Sequence, residues 1–532
     1  MDLTPVAAAV KAYTPAPEQA LVGGLDGADR TARSTAFWNA SSQSADVAIL
    51  PNKEQWDAKA HDMAGSDGFV GGAVDTIKDS IVGAQYVLNA RPDWRALGAS
   101  PEWAREFQQV VESRWRLSAE SIECHFDRAR KLTFTDQIRL GVGLGVVSGE
   151  VVMTSEWLDR VGRPFNTCFQ LIAPERLCNP HDAADTQNLR GGVSMDNSGE
   201  PLSYHFRQAH KSDARIGDMR AWEWKEVPAR MPWGRKRVIH IFDQILPAQT
   251  RGVSATVSVL KEMRMTQRLR EVELQAAVLG ATYAAAIESE LPPETIYEQM
   301  GQSQGSNGVR QFMSMLAEYY GEAGAVKLDG VKIPVFAPNT KLKFYQPQDR
   351  TGMAAYEQGL LRHIAARLNL SYEEFTRDYT NTNYSSARAT MLQTWRAMQG
   401  RKKKFADRQA TEMYTLWLEE QIQRGEVPLP PGFDKWDFYR GLNREAMSRC
   451  SWIGASRGQI DELKETQAAV ARIKAGLSTH EDEIARLGGD YREVFEQALR
   501  EQQERAAAGL VFPDLDAKAA PAIQSGNAPN EP

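Results

Sequence analysis

Cysteine is scarce in this chain of 532 residues: Cys124, Cys168, Cys178 and Cys450 stand far apart with no CxxC spacing. Neither a disulfide framework nor a thiolate metal site is expected, and the thiols read as reduced ones in a cytoplasmic setting. The eight histidines are dispersed. Only Cys124 and His125 are adjacent, and neighbouring residues rarely make a site alone, so no metal and no cofactor is expected. The dipeptide Gly-Lys is missing altogether. A phosphate-cradling P-loop needs it, so any ATP-driven motor has to be a partner. No window approaches 18 uninterrupted apolar residues, which argues against a transmembrane helix and any membrane partner. The stretch MDLTPVAAAVKAYTPAPEQ has one lysine and no continuous apolar core, so no signal peptide is expected and the chain reads as soluble. Strong positive charge is absent too: 63 basic and 69 acidic residues leave a net charge of -6. Coating DNA by bulk electrostatics is thereby excluded, and any DNA contact is local or loose. Carboxylates are plentiful, but no motif singles out a pair for nuclease chemistry.

The length allows roughly two to four domains. Residues 1–45, rich in Ala, Pro, Ser and Gly, bury too little to offset ordering entropy and read as a mobile arm. From about 56 a helix closed by Gly83 is expected, then a strand in QYVLNA. Ser100-Pro101-Glu102 is a helix start, because Ser caps free amides and Pro costs nothing at the first helical position. That helix, through Phe107, Val111 and Trp115, is expected to end near Ala119. A helix over FTDQIRLGVGLGVVSG precedes the β-type runs EVVMTSEW and FNTCFQLIAP. Its glycines invite a dinucleotide-binding reading, but Val146 stands where the third glycine of GxGxxG belongs, and no strand with a tight turn precedes it. Helix packing through small residues is the better reading. A hairpin around Asn197-Ser198-Gly199 and a buried strand in RVIHIFDQ complete a mixed α+β domain over about 45–250.

The organising stretch follows. Val257, Leu260, Met263, Leu269, Val272, Ala276, Leu279, Tyr283 and Ile287 recur mostly every three or four positions, which predicts one long amphipathic helix over about 254–288. A Gly/Pro-punctuated insert over about 291–346 holds a helix around QFMSMLAEYY and the β-type run AVKLDGVKIPVFAP. A second helix spans about 354–371, the polar stretch TRDYTNTNYSSARA has almost nothing to bury, and helical periodicity resumes from about 387 to 423. Two helices flanking an insert, then a polar loop leading into a long helix, build a passage rather than a pocket. The loop Thr380–Ser386 is short, uncharged and hydrogen-bonding, and by its residues alone reads as an ordinary interhelical connection whose Asn and Ser residues cap the next helix. The run Arg401, Lys402, Lys403 and Lys404 reads as a phosphate-facing patch, a solvated helix face or a contact to a neighbour's acids. Gly400 before it marks a bend. After the Pro-rich break VPLPPGF, residues 459–508 read as solvated helices with charges of alternating sign. The last twenty or so residues read as disordered.

Several fragments carry a family resemblance: SADVAILPN (44–52), DSIVGAQYVLNARPDW (79–94), APERLCNP (173–180), the run from IHIF to QTRG (239–252), YAAAIESEL (283–291), LLRHIAARLNLSYEEF (360–375), NYSSARA (383–389) and AGLSTHEDEIARLGGDY (475–491). In this order and spacing the chain resembles the lambda-like portal proteins of tailed bacteriophages over nearly its whole length. The resemblance implies an α+β portal fold, a non-enzymatic subunit of a ring oligomer, usually a dodecamer, with a central channel. It implies an arm (1–45), a wing (46–250), a first stem helix (251–290), a clip (291–346), a second stem helix (347–375), a tunnel loop (376–390), a long kinked helix joining wing and crown (391–455), a helical crown (456–510) and a tail (511–532). Asn381, Thr382, Asn383, Tyr384, Ser385, Ser386 and Arg388 are expected to face DNA, and Leu269, Val272 and Leu279 to meet neighbouring subunits. The implied partners are double-stranded DNA, the terminase large subunit, head-tail connector proteins, and the major capsid protein with its scaffold. The implied location is a capsid vertex of the virion, with the host cytoplasm during assembly. Two other classes stay open: a DNA-processing packaging enzyme (nuclease or ATPase), and a head-tail adaptor without a DNA channel.

Overall fold

The computed structural model describes residues 41–285, 326–328, 331–333, 351–380, 383–458 and 461–509. The expectations for the arm, most of the clip and the tail lie outside these residues.

Two helices open the described chain, α1 (Ala45–Ser66) and α2 (Gly68–Ile81). One helix from about 56 to Gly83 was expected, but Asp67 interrupts it. Its carboxylate accepts from the amides of Phe69 (2.9 Å) and Val70 (3.1 Å), starting a new helix. Gly83 has φ +73° and turns the chain toward β1 (Val87–Ala90). That strand pairs antiparallel with β11 (Cys450–Ile453), joining segments more than 350 residues apart in sequence.

Helix α3 (Pro101–Ala119) begins as its sequence predicts, with Ser100 Oγ accepting from the Trp103 amide at 3.2 Å. Its buried face, Trp103, Phe107, Val111 and Trp115, repeats every fourth residue and points into the main core. There Trp115 meets Phe126, Phe134, Tyr414 and Trp417 with ring centroids 4.9–5.5 Å apart.

Helix α4 (Phe134–Val147) carries the glycine run and starts with a capping box between Thr133 and Asp136. A Cβ at Gly141 would collide with the Gln409 amide, and one at Gly145 would lie 2.8 Å from the Phe405 ring. The glycines therefore let another helix approach closely, and packing, not dinucleotide binding, explains them.

Three strands follow in the order β3-β2-β8: β2 (Glu150–Trp157), β3 (Thr167–Ile172) and β8 (Val238–Phe242). Alternate residues of β2 face opposite ways. Val151 and Met153 join the main core, whereas Val152 joins a second one with Ile172, Tyr204, Phe206 and Val227. That second core lies under an antiparallel sheet of β4 (Leu189–Arg190), β5 (Val193–Met195), β6 (Pro201–Arg207) and β7 (Trp224–Pro228). The β5–β6 hairpin turns where expected, with Asp196 accepting from the Ser198 and Glu200 amides and Gly199 at φ +88°.

Helix α5 (Leu260–Ala285) follows, and after the insert come α6 (Thr351–Leu368) and the short α7 (Tyr372–Thr376). Between them, β9 (Val326–Leu328) and β10 (Val331–Ile333) pair antiparallel inside the predicted β-type run. The longest helical path then runs through α8 (Tyr384–Arg401), a π-helical stretch (Lys402–Ala406) and α9 (Asp407–Arg424). Ala410, Met413, Tyr414, Leu416, Trp417, Leu418 and Ile422 are all buried, and so are Gln409, Thr415, Glu419, Glu420 and Gln421, so α9 is enclosed on most sides and forms the axis of the core. A π-helical stretch lies just beyond Gly400, the position where the sequence leads one to expect a bend. After α10 (Asn443–Met447) and β11, three helices end the described chain: α11 (Glu462–Lys474), α12 (His480–Arg486) and α13 (Tyr491–Ala507).

Candidate functional site

The polar loop is shorter than its sequence predicts. Helix α8 begins at Tyr384, so Tyr384, Ser385, Ser386 and Arg388 occupy its first turns, and the connection from α7 spans only Arg377 to Asn383. The physical reason is that the sequence of the first turns of α8 carries no apolar stripe to announce a helix. Its apolar periodicity starts near Met391, although Ser and Ala suit a helical first turn. Asn381 and Thr382 lie outside the described residues; Asn383 and Arg388 are exposed. The side-chain positions of Tyr384, Ser385 and Ser386 are likewise outside them.

The base of this loop is rigid. Ser371 and Glu374 cap α7 reciprocally, and Arg377 ends it in a left-handed conformation at φ +60°. Phe375 is buried and stacks on Phe69 of α2 with centroids 5.8 Å apart, while Arg377 donates to Thr76 Oγ1 at 2.9 Å. Glu374 also accepts from Thr394 Oγ1 of α8 at 2.7 Å, so the two feet of the loop are bonded to each other. Above them, Asp378 accepts from the amide and hydroxyl of Thr380. Those hydrogen bonds hold the Asp378 carboxyl below its usual pKa.

The basic run is not one patch. Arg401 is half-buried and donates weakly to the Leu368 carbonyl (3.5 Å); burial, with Arg367 adding to it, pulls its pKa down to about 10. Lys402 points inward, bonded to Asp407 (2.8 Å) and the Trp452 carbonyl (2.9 Å) and lying 5.3 Å from the Tyr86 ring centre. Lys403 is exposed and 3.7 Å from Asp407, and Lys404 pairs with Asp243 at 2.5 Å. The π turn rotates successive lysines to different surroundings, and acids of the same chain meet them.

Helix α5 is docked by its first half. Met263 and Thr266 are buried, and Arg270 bonds Asp67 at 2.6 Å while lying 4.8 Å from the Phe69 ring centre. Leu269 is half-buried, whereas Val272, Leu274 and Val278 are exposed. The Leu279 side chain lies outside the described residues.

A family model described as phage portal protein, lambda family, matches residues 31–402. Portal protein B of Escherichia phage lambda is 40% identical over 497 residues, covering 92% of this chain and 90% of that one. The portal protein of Escherichia phage N15 is 40% identical over 493 residues, covering 92% and 91%. The chain belongs to the lambda family of phage portal proteins. A chain from the virion of a native gene transfer agent particle is a distant structural neighbour, with a TM-score of 0.38 and 11% identity over 83% of this chain and 99% of that one. The relatives are portal proteins, a structural family, in accord with the expectation of a non-enzyme. Neither the packaging-enzyme nor the adaptor alternative gains support from them.

Sequence reasoning missed the most connected polar group of this portal chain. Glu150, at the start of β2, is completely buried and meets Arg251 (2.5 Å), Lys53 (3.2 Å), His240 (3.0 Å) and the Gly252 amide (2.8 Å). Burial opposes its charge, yet Arg251, Lys53 and His240 outweigh that and hold its pKa well below the carboxylate range. Arg251 spends its other donors on the carbonyls of Leu177, Gly191 and Pro174. One carboxylate thus joins α1, the three-stranded sheet and the loops leading to the meander, immediately before α5. Asp57, beside Lys53, is pushed by burial up to about 6. Partners about a hundred residues apart leave no motif. The signal available was only that QTRG falls among the family fragments.

Among the described residues, no group of three or more His, Cys, Asp or Glu is arranged to hold a metal ion, and no helix is long and apolar enough to cross a membrane. All four cysteines are free thiols.

Proposed function

We propose that this portal protein forms a ring, usually a dodecamer in similar proteins, at one capsid vertex, and that double-stranded DNA enters and leaves through its central channel. The observation that supports this best is a short, uncharged tip, Thr380–Asn383, standing on the bonded feet of α7 and α8. Its base is tied by the Glu374–Thr394 hydrogen bond and by Phe375 stacked on Phe69. Weak polar contacts suit a duplex that slides, because strong phosphate pairs would retain it. Asn381, Thr382 and Asn383 face the DNA, with Tyr384, Ser385, Ser386 and Arg388 presenting the first turns of α8 behind them. Arg401, Lys402 and Lys404 contribute by holding the helix rather than by touching phosphates, and Lys403 is the member of the run left to solvent.

The clip, 291–346, docks the terminase large subunit during packaging and the head-tail connector proteins afterwards. The wing and crown meet the major capsid protein and scaffold while the shell is assembled in the host cytoplasm. Shells assembled with and without the chain test the function directly. Nuclease-resistant, genome-length DNA is expected only in shells that contain it, and equal filling without it contradicts the proposal.

A further inference from the structure

The three C-terminal helices stand apart from both apolar cores. Among the described residues, no side chain of 461–509 belongs to either core, and none is among the partly buried apolar side chains packed on one. Helices α11 and α12 are tied to each other, since Glu483 of α12 takes two hydrogen bonds from Arg472 of α11 (2.9 and 2.8 Å) and one from its own Arg486 (2.8 Å). Strand β11 fixes the chain up to Ile453, which pairs with Val87. Between that strand and Asp461, whose carboxylate caps α11, Gly458 stands at φ +76° with open space where a Cβ would be. A permissive turn therefore separates this helical unit from the rest of the chain.

What joins the unit to the body is charge. Arg91, just past β1, lies 2.7 Å from Glu481 and 4.0 Å from Asp482 of α12, and Asn89 donates to Glu481 at 2.8 Å. Arg116 of α3 lies 3.1 Å from Asp490 and 2.6 Å from Glu493, at the start of α13. Two cations of the body thus meet four carboxylates of the unit. One link runs the other way: Arg492 donates to Gln108 at 2.9 Å and lies 3.9 Å from Glu112. The side chains of Arg91, Arg116, Asp482 and Glu493 are 45–56% exposed, so these pairs stay in contact with water. Such pairs contribute little singly and weaken with salt, whereas a joint made by apolar burial would not.

We propose that this joint is a salt-operated latch, from which α11–α13 swing away from β1 and α3 as ionic strength rises while the core stays folded. The inference does not rest on the ring reading, because every partner in the joint belongs to one chain. The screening length falls from about 10 Å at 0.1 M salt to about 3 Å at 1 M, so all the pairs weaken together. Once released, α13 loses its only anchorage among these contacts, and a helix of its length is marginal in water by itself. Release therefore shows as faster opening of α13. Arg114, two residues from Arg116 on α3, pairs with Glu426 of the body instead and serves as the internal control.

Hydrogen exchange of the full chain in 0.1 M and 1 M NaCl, at one pH, tests the latch. Amides of 491–507 are expected to exchange about fivefold or more faster at 1 M, whereas those of 87–90 and 101–119 keep their rates. In 0.1 M salt, Arg116→Met already brings 491–507 part of the way to the high-salt rate and flattens its salt dependence. Arg91→Met does the same for 480–486, and Arg114→Met changes neither segment. Equal rates for 491–507 in the two salts overturn the inference. Faster exchange that spreads equally to 101–119 also overturns it, because the whole fold is then loosening rather than the joint. So does an Arg114→Met effect as large as that of Arg116→Met. None of these outcomes touches the portal reading, which stands or falls on assembly and on DNA filling.

Discussion

Glu150 and Arg251 illustrate what a buried ion pair does and does not contribute. Removing both for well-packed apolar groups can be nearly neutral, but removing one leaves an uncompensated charge in the interior. Glu150→Gln or Arg251→Met is therefore expected to cost about 3–5 kcal/mol in urea unfolding. A midpoint equal to wild type would show that the joint between α1 and the sheets does not depend on it. Glu112 behaves oppositely. Burial raises its pKa from 4.5 to about 7, even though Gln108 and the Ala90 amide bond its carboxylate. A folded pKa above the unfolded one means that the native state holds the proton more tightly, so stability falls as pH rises from about 4.5 through about 7. Glu112→Gln should remove that slope, raising stability at pH 8 by about 1–3 kcal/mol and changing it little at pH 4. Thermal unfolding at both values checks this, and an unchanged slope contradicts it.

Elements whose determinants are local were legible in the sequence. Ser100-Pro101, the hairpin at Asp196–Gly199 and the close-packing glycines of α4 behave as their residues dictate, because caps, turns and missing side chains act over a few positions. The break at Asp67 and the early start of α8 were missed for one reason: apolar periodicity reports burial, and neither a capped junction nor the polar first turns of α8 carry such a stripe. The basic run was ambiguous because its partners, Asp243 and Trp452, are remote in sequence. The structure locates the replaceable loop more narrowly, which sharpens its test. Changing only Asn381, Thr382 and Asn383 to Gly and Ser should leave rings and empty shells intact while shortening or releasing the packaged DNA. Pulsed-field sizing decides it, since full-length, stably retained genomes would return this tip to an ordinary connection. A surface scan of 291–346 should likewise weaken terminase binding without touching ring formation, and uniform affinity across the scan contradicts the docking role.

At the scale of the molecule, a core built around α9 and Trp115 is joined by α5 and by the three C-terminal helices, both of which expose apolar side chains. Exposed apolar faces at two separate places on one chain signal assembly. On α5, Leu269→Asp places a charge where the side chain is already half-buried, and Val272→Asp places one on the face left open. Both changes should reduce ring yield while the isolated subunit stays folded by circular dichroism. The most direct test of the whole account is the mass and projected shape of the purified wild-type assembly, by native mass spectrometry and electron microscopy. The account predicts a single closed ring of identical subunits around a channel wide enough for a DNA duplex. A monomer, an open filament, or a ring too narrow for duplex DNA would contradict it.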